Sequence, residues 1–153
     1  PGAPGENSKI LDPALASNIA GASYVEADVR FLEGMITHHR QAIVMSKLAK
    51  KRTNNKTILD LANRIDVSQE DEINFMESWL ESRKEIKTNT PHNHHMHMEM
   101  TGMASPEELI ELENSKSTDF DRLFLQLMIA HHDGALEMVK ELKKYPGSAN
   151  EPP

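Results

Sequence analysis

One seventeen-residue stretch occurs twice in this chain, and both copies have helical period. FLEGMITHHRQAIVMSK (residues 31–47) aligns with FLQLMIAHHDGALEMVK (residues 124–140) at a constant offset of 93, and nine of the seventeen positions are identical. Apolar residues recur in both at spacings of three and four, which predicts two amphipathic helices carrying the same Met-x-x-His-His pattern. Whatever this chain folds into must place two such helices in one structure. No second long helix follows the later copy, so the motif recurs without its surroundings.

Helix pitch gives the repeat a geometric meaning. At about 100° per residue, Met35 projects between His38 and His39, one turn below both, while Met45 lies two turns above His38. Met128, His131, His132 and Met138 repeat the arrangement. Adjacent histidines diverge by about 100°, so both cannot point straight into one core. The flanking apolar arc is broad, with Leu32, Ile36, Ala42 and Ile43 in one copy and Leu125, Ile129, Ala135 and Leu136 in the other. Both rings are therefore expected at or near the buried face, His39 and His132 nearest its centre.

Between and around the copies the pattern stays helical. A first helix is expected from about Tyr24 to Lys51, a turn at Thr53–Asn55, and a second helix from Lys56 to about Lys87. Ile58, Leu61, Ala62, Ile65, Ile73, Met76, Leu80 and Ile86 form the second helix's stripe; Gln69 and Glu72 interrupt it, which predicts a locally polar middle. SPEE (residues 105–108) reads as an N-cap, a proline in first position and first-turn carboxylates, opening a short helix that ends near Ser115. STDFD (residues 117–121) offers another capping start, for a last helix running to about Lys144, where YPG stops it. Residues 1–23 form a Pro/Gly-punctuated arm with a helical turn expected near Pro13–Ala20, and residues 146–153 form a tail. The expected fold is all-α: one up-and-down helical bundle over residues 24–145, three long helices plus one short, with a His/Met-rich linker at 88–104.

Composition agrees and excludes several functions. Aromatics make up 5% of the 153 residues and charged residues 27%, with almost no Val/Ile/Thr/Tyr runs that would build a sheet. A net charge of −7 disfavours nucleic acid, which needs clustered Lys and Arg. The basic run KLAKKR (residues 47–52) falls where a helix should end and complements its dipole. The absence of cysteine removes disulfides, thiolate metal sites, type-1 copper and cysteine nucleophiles. No apolar run is long enough to span a bilayer, so membrane insertion is not expected. PGAPGENS at the start lacks an initiator Met, as in a processed secreted protein or an expression artefact. Neither a Glu-x-x-His pair for a di-iron centre nor a nucleophile-elbow glycine pattern occurs. Asp28, Glu33, Asp119 and Asp121 read as solvated faces or caps.

The linker is the densest chemical signal. PHNHHMHMEMTGM (residues 91–103) holds four of the chain's eight histidines, His92, His94, His95 and His97, and four of its nine methionines, Met96, Met98, Met100 and Met103. Thioethers ligate Cu(I) well and add little for zinc, magnesium or calcium, whereas imidazole accepts either copper oxidation state. A polar linker or a sacrificial oxidation sink would explain the methionines but not the histidines. For the helical copies, Met as a flexible core filler and His as a hydrogen-bonded core residue remain the plain alternative. Duplication favours ligation by Met35, His38, His39, Met45, Met128, His131, His132 and Met138; a buried histidine network that specifies helix pairing stays open.

FLEGMITHHRQAIVMSKLA and DFDRLFLQLMIAHHDGALEMVKEL resemble the two signature segments of domain-of-unknown-function family 305. These are ferritin-like helical-bundle proteins whose best understood cyanobacterial representative binds copper in the periplasm and cell exterior. The resemblance covers about Tyr24 to Tyr145. It implies copper binding and resistance outside the cytoplasm with no established catalytic reaction, and carries over Met35, His38, His39, Met45, Met128, His131, His132 and Met138. Arg40 and Asp133 stand at variable positions and take no role. The resulting expectation is a non-enzymatic protein that sequesters or transfers Cu(I), with Cu(II) as second candidate, in the periplasm or outside the cell. Copper ions are the expected partners, together with a copper efflux or transfer protein. A copper oxidoreductase, a zinc or nickel buffer and a protein-interaction module are the rival readings.

Overall fold

The computed structural model describes residues 26–84, 100–145 and 147–148. The arm at 1–23, the tract ligands His92, His94, His95, Met96, His97 and Met98, and most of the tail lie outside the described residues. Four helices follow in order: α1 (Glu26–Arg52), α2 (Lys56–Lys84), α3 (Pro106–Asn114) and α4 (Ser117–Leu142). The expected all-α bundle of three long helices and one short helix is what forms, and each boundary has a local cause.

α1 carries Glu26 and Asp28 in its first turn and Lys50, Lys51 and Arg52 in its last, charges that complement the helix dipole at both ends. The chain then reverses within three residues. The Thr53 N–H bonds back to the Ala49 carbonyl at 3.1 Å, and the Asn55 carboxamide oxygen accepts the Thr57 N–H at 3.1 Å, opening α2. At α3 the SPEE signal is realised as a full capping box. The Glu108 N–H donates to Ser105 Oγ at 3.1 Å, the Ser105 N–H donates to Glu108 Oε2 at 2.8 Å, and Pro106 opens the helix.

The start of α4 departs from expectation. Lys116 occupies the N-cap with no side-chain bond, and Ser117, expected to cap, is the first helical residue with φ of 55°. Only Ser115 and Lys116 separate α3 from α4, and so short a reversal forces a left-handed residue where a cap would otherwise sit.

α1 is the central helix. α2 lies along it as an antiparallel hairpin, α4 packs on it from another side, and α3 closes one end. Two apolar clusters result. One joins Ala42, Met45 and Ala49 of α1 and Ile58 and Ala62 of α2 to Phe120, Phe124, Leu127 and Met128 of α4, with Leu112 beneath. Phe120 and Phe124 are fully buried and stack at 5.7 Å, each contributing roughly 2–3 kcal/mol by burial. The other joins Met35 and Ile36 of α1, Ile73 and Met76 of α2, and Met138 of α4. Met45 thus shares a cluster with Met128, and Met35 with Met138, so α1 and α4 run antiparallel. The two copies of the motif are related by an approximate twofold through their middles.

Candidate metal centre

At the middle of that crossing sit His38 and His131. Their rings stack at a centroid distance of 3.7 Å, tilted by 37°, with exposures of 0% and 2%. The two copies therefore meet through the first histidine of each pair. His39 is also buried, but His132 is exposed, and so are Ile129 and Leu136 beside it. This reverses the expected order of depth, and the physical reason is α2. That helix covers Leu32, Ile36, His39 and Ile43 on α1, whereas no described helix covers the matching stripe on α4. The stripe instead borders an open groove of about 350 Å³ between Leu61 and Ile65 of α2 and Leu125, Met128, Ile129 and His132 of α4.

Hydrogen bonds fix how each imidazole presents its nitrogens. Nε2–H of His38 donates to the Thr101 carbonyl at 3.1 Å, and Nε2–H of His131 donates to the carbonyl of His38 itself at 2.9 Å. A carbonyl can only accept, so each of these nitrogens carries a proton. Nε2–H of His39 donates to the Glu72 carboxylate at 2.7 Å. Three rings thus spend Nε2 on protein partners. Nδ1 of His38 and Nδ1 of His39 are both buried with no hydrogen-bond partner. Leaving a buried polar atom unmatched costs about 1–3 kcal/mol, so each of these nitrogens is a place where a water or another ligand would be favoured. His132 does the opposite. Its Nδ1–H bonds to the Met128 carbonyl one turn back at 2.8 Å, which leaves Nε2 as the free nitrogen on an exposed ring.

Burial keeps the central pair neutral. It lowers the His131 pKa to about 4, with the adjacent His38 ring as the second cause, and it lowers that of His38 as well, against the opposing pull of the Thr101 carbonyl. Two stacked imidazolium ions at this spacing would repel strongly in a poorly solvated site. A neutral imidazole with its other nitrogen anchored is the form in which histidine binds metal.

The end of the His/Met tract is built into this centre. Gln41 clamps Ala104 in both directions, its Nε2 donating to the Ala104 carbonyl at 2.9 Å and its Oε1 accepting the Ala104 N–H at 2.7 Å. Gly102, at φ of 79°, crosses α4 at Gly134 with no room for side chains: a Cβ on Gly134 would lie 2.0 Å from the Thr101 oxygen, and one on Gly102 would lie 2.3 Å from the Ala130 oxygen. Residues 100–104 therefore form a strap over both motif helices. Met103 is half-buried in it and Met100 exposed.

Of the sixteen candidate ligands, the fold gathers Met35, His38, His39, Met45, Met128, His131 and Met138 in the interior, leaves His132 and Met100 exposed, and half-buries Met103. The groups that anchor these histidines and the strap are Gln41, Glu72, the Thr101 carbonyl, Gly102 and Gly134, and in the sequence only the polar break at Gln69 and Glu72 hints at one of them. Among the described residues, no three His, Asp or Glu side chains converge as a metal-holding group, and no helix is long and apolar enough to cross a membrane.

Comparison with known proteins places the chain. A crystal structure of a DUF305 protein from Streptomyces coelicolor, described as a candidate secreted protein, is similar with a TM-score of 0.69 at 28% identity, over 82% of this chain and 74% of that one. A DUF305 fragment from Deinococcus radiodurans is similar with a TM-score of 0.66 at 30% identity, over 79% of each chain. An uncharacterized protein of Acanthamoeba polyphaga mimivirus is 49% identical over 57 residues, 37% of this chain, and the chain spans only 38% of that relative's length. The model of the family described as "Domain of unknown function (DUF305)" matches residues 28–151, which include both motif helices, the strap and the hairpin between them, and the chain belongs to that family.

Proposed function

We propose that this chain is a copper-binding protein that holds Cu(I), and accepts Cu(II), outside the cytoplasm without catalysing a reaction. The observation that carries this reading is the pair of buried, unpartnered Nδ1 atoms on His38 and His39, each on a ring whose Nε2 is tied down, set among buried thioethers. Second-sphere bonds to the far nitrogen are how proteins orient metal-binding histidines. Among the described residues no third carboxylate or imidazole converges here while thioethers lie close by, and thioether sulfur favours Cu(I). The tract at 92–103 offers the same two ligand types in a run of chain that ends in the strap, so capture there and retention in the bundle involve one kind of ligand exchange. A location in the periplasm or outside the cell is supported by the candidate secreted relative. Transfer to an efflux or carrier protein would use the same exchange.

The stacked pair favours one other reading. The His131–His38 carbonyl bond ties α1 to α4 directly, as a purely structural network would. Anaerobic competition of the full chain against a Cu(I) chelator separates the two. At least one cuprous ion retained per chain is expected; a stoichiometry below one defeats the copper reading and leaves the network.

A further inference from the structure

Met76 is the ninth methionine of the chain and belongs to neither copy of the motif nor to the tract. It is buried on α2, in the cluster that holds Met35 of α1 and Met138 of α4. Three thioethers from three different helices therefore share one small apolar cluster. Register puts His39 beside it. The antiparallel hairpin pairs His39 with Glu72, and one turn along both helices the same register pairs Met35 with Met76. Helical side chains lean toward the N-terminus of their own helix, so His39 leans toward the turn of Met35 while Met76 leans toward the turn of Glu72. Met138 reaches the same level: its Cε lies 3.6 Å from where a Cβ on Gly34 would stand. His39 spends Nε2 on Glu72 and has a buried, unpartnered Nδ1.

We infer that Met35, Met76 and Met138, together with Nδ1 of His39, form a closed thioether-rich site for a soft monovalent cation, with Glu72 as the positioning residue that orients the ring. The inference rests on the copper reading and assigns that reading a specific ligand set, including a residue outside the repeat. Three methionines in a core are ordinarily pliable filler. What separates this cluster from filler is the orphaned nitrogen beside it, and the contrast with the other end of the bundle. There Met45 and Met128 have aromatic and aliphatic neighbours, α2 contributes Ile58 and Ala62, and His132 is exposed with its Nδ1 already bonded. Among the described residues, methionines from three helices share one cluster next to a histidine with a buried, unmatched nitrogen only at the Met35 end. The donor set is soft and neutral, which suits Cu(I) or Ag(I) and disfavours zinc and the hard divalent ions.

The test uses the full chain with isotope-labelled methionine methyls, assigned by single Met→Leu substitutions and followed by NMR as Cu(I), or diamagnetic Ag(I), is added anaerobically to saturation. The methyls of Met35, Met76 and Met138 should shift together, along with the His39 ring nitrogens. Met76→Leu, a near-isosteric change that the fold should tolerate, should weaken this site by at least about tenfold, while the packing control Ile73→Leu leaves it unchanged. Glu72→Gln should weaken it by about tenfold to a hundredfold without unfolding the chain, the effect of losing a second-sphere carboxylate. If tract methyls shift while these three stay fixed at saturation, the inference is overturned and copper binding itself survives. If no methyl and no imidazole responds, both fall together.

Discussion

The two copies of Met-x-x-His-His start from nearly the same sequence and end in different surroundings. In the first, α2 covers the outer stripe of the helix, so His39 is buried and holds Glu72. In the second, no described helix covers the stripe, so His132 turns back onto its own helix at the Met128 carbonyl and stays exposed. The strap treats them differently too. Gln41 in the first copy grips Ala104 through two hydrogen bonds, while the aligned position in the second copy, Gly134, is emptied of side chain so that Gly102 can cross it. A duplicated motif thus yields one symmetric element, the His38–His131 stack, inside an asymmetric frame. The frame decides which nitrogens and which sulfurs face inward.

The largest test of that asymmetry is Gly134→Ala. In an ordinary helix interior this change stabilises by nearly 1 kcal/mol. Here the new Cβ would stand 2.0 Å from the Thr101 oxygen and 2.7 Å from Gly102 Cα, both backbone atoms that cannot step aside cheaply. A loss of roughly 3 kcal/mol is expected by chemical denaturation, together with release of the strap from His38. The counterpart in the first copy, Gln41→Ala, removes two hydrogen bonds without a clash and should cost only about 1–2 kcal/mol. Equal costs at the two positions would mean that the strap does not distinguish the copies.

The symmetric element has its own signature in acid. His131 is held near pKa 4 in the folded chain, below the 6.5 of a free histidine, so as pH falls the unfolded chain takes up the proton first. Its contribution is intact above about 6.5 and drains away as pH falls through about 4. From this one group, stability should drop by about 2 kcal/mol between about pH 7 and about pH 5, and the burial-lowered pKa of His38 adds in the same direction. Denaturant midpoints measured across this range should show the slope, and His131→Gln should flatten it. An unchanged slope in that variant would mean that the stack is not what the acid attacks.

Next in size comes the second histidine of each copy. His39→Ala removes a buried ring and should cost about 1–2 kcal/mol, whereas His132→Ala removes an exposed one and should stay within about 0.5 kcal/mol. Thermal melts of the two variants side by side would show it. Matching losses would place an unrecognised cover over α4.

What could be read from the sequence follows from these contrasts. Helix positions were legible because period and caps are local: the capping box at Ser105 and Glu108 formed as written, and α1 and α2 begin within two residues of where the pattern placed them. Ser117 was misread as a cap because the shortness of the break after α3 outweighs its side chain. Depth along the motif was not legible. Diverging neighbours on a broad apolar arc look equivalent until one knows that α2 packs on α1 and that nothing described packs likewise on α4. Ile129 and Leu136, expected to be buried, are exposed for that same reason. The anchoring groups are hidden because Gln41, Glu72, Thr101 and Gly134 act across separations of 33 to 63 residues or through backbone atoms.

The smallest effect isolates the Glu72–His39 bond from the rest of the fold. The Glu72 carboxylate is more than half exposed, so its bond to His39 should contribute less than about 1 kcal/mol to stability. Glu72→Gln keeps an acceptor in place and should leave the denaturation midpoint nearly unmoved. What it should alter is which His39 nitrogen carries the proton, because a neutral amide holds Nε2–H less firmly than a carboxylate does. Ring-nitrogen chemical shifts report that balance directly, and those of His132, which has no such partner, serve as the internal reference. A His39 signal identical in the two proteins would show that the carboxylate orients nothing, and the first copy would then differ from the second by burial alone.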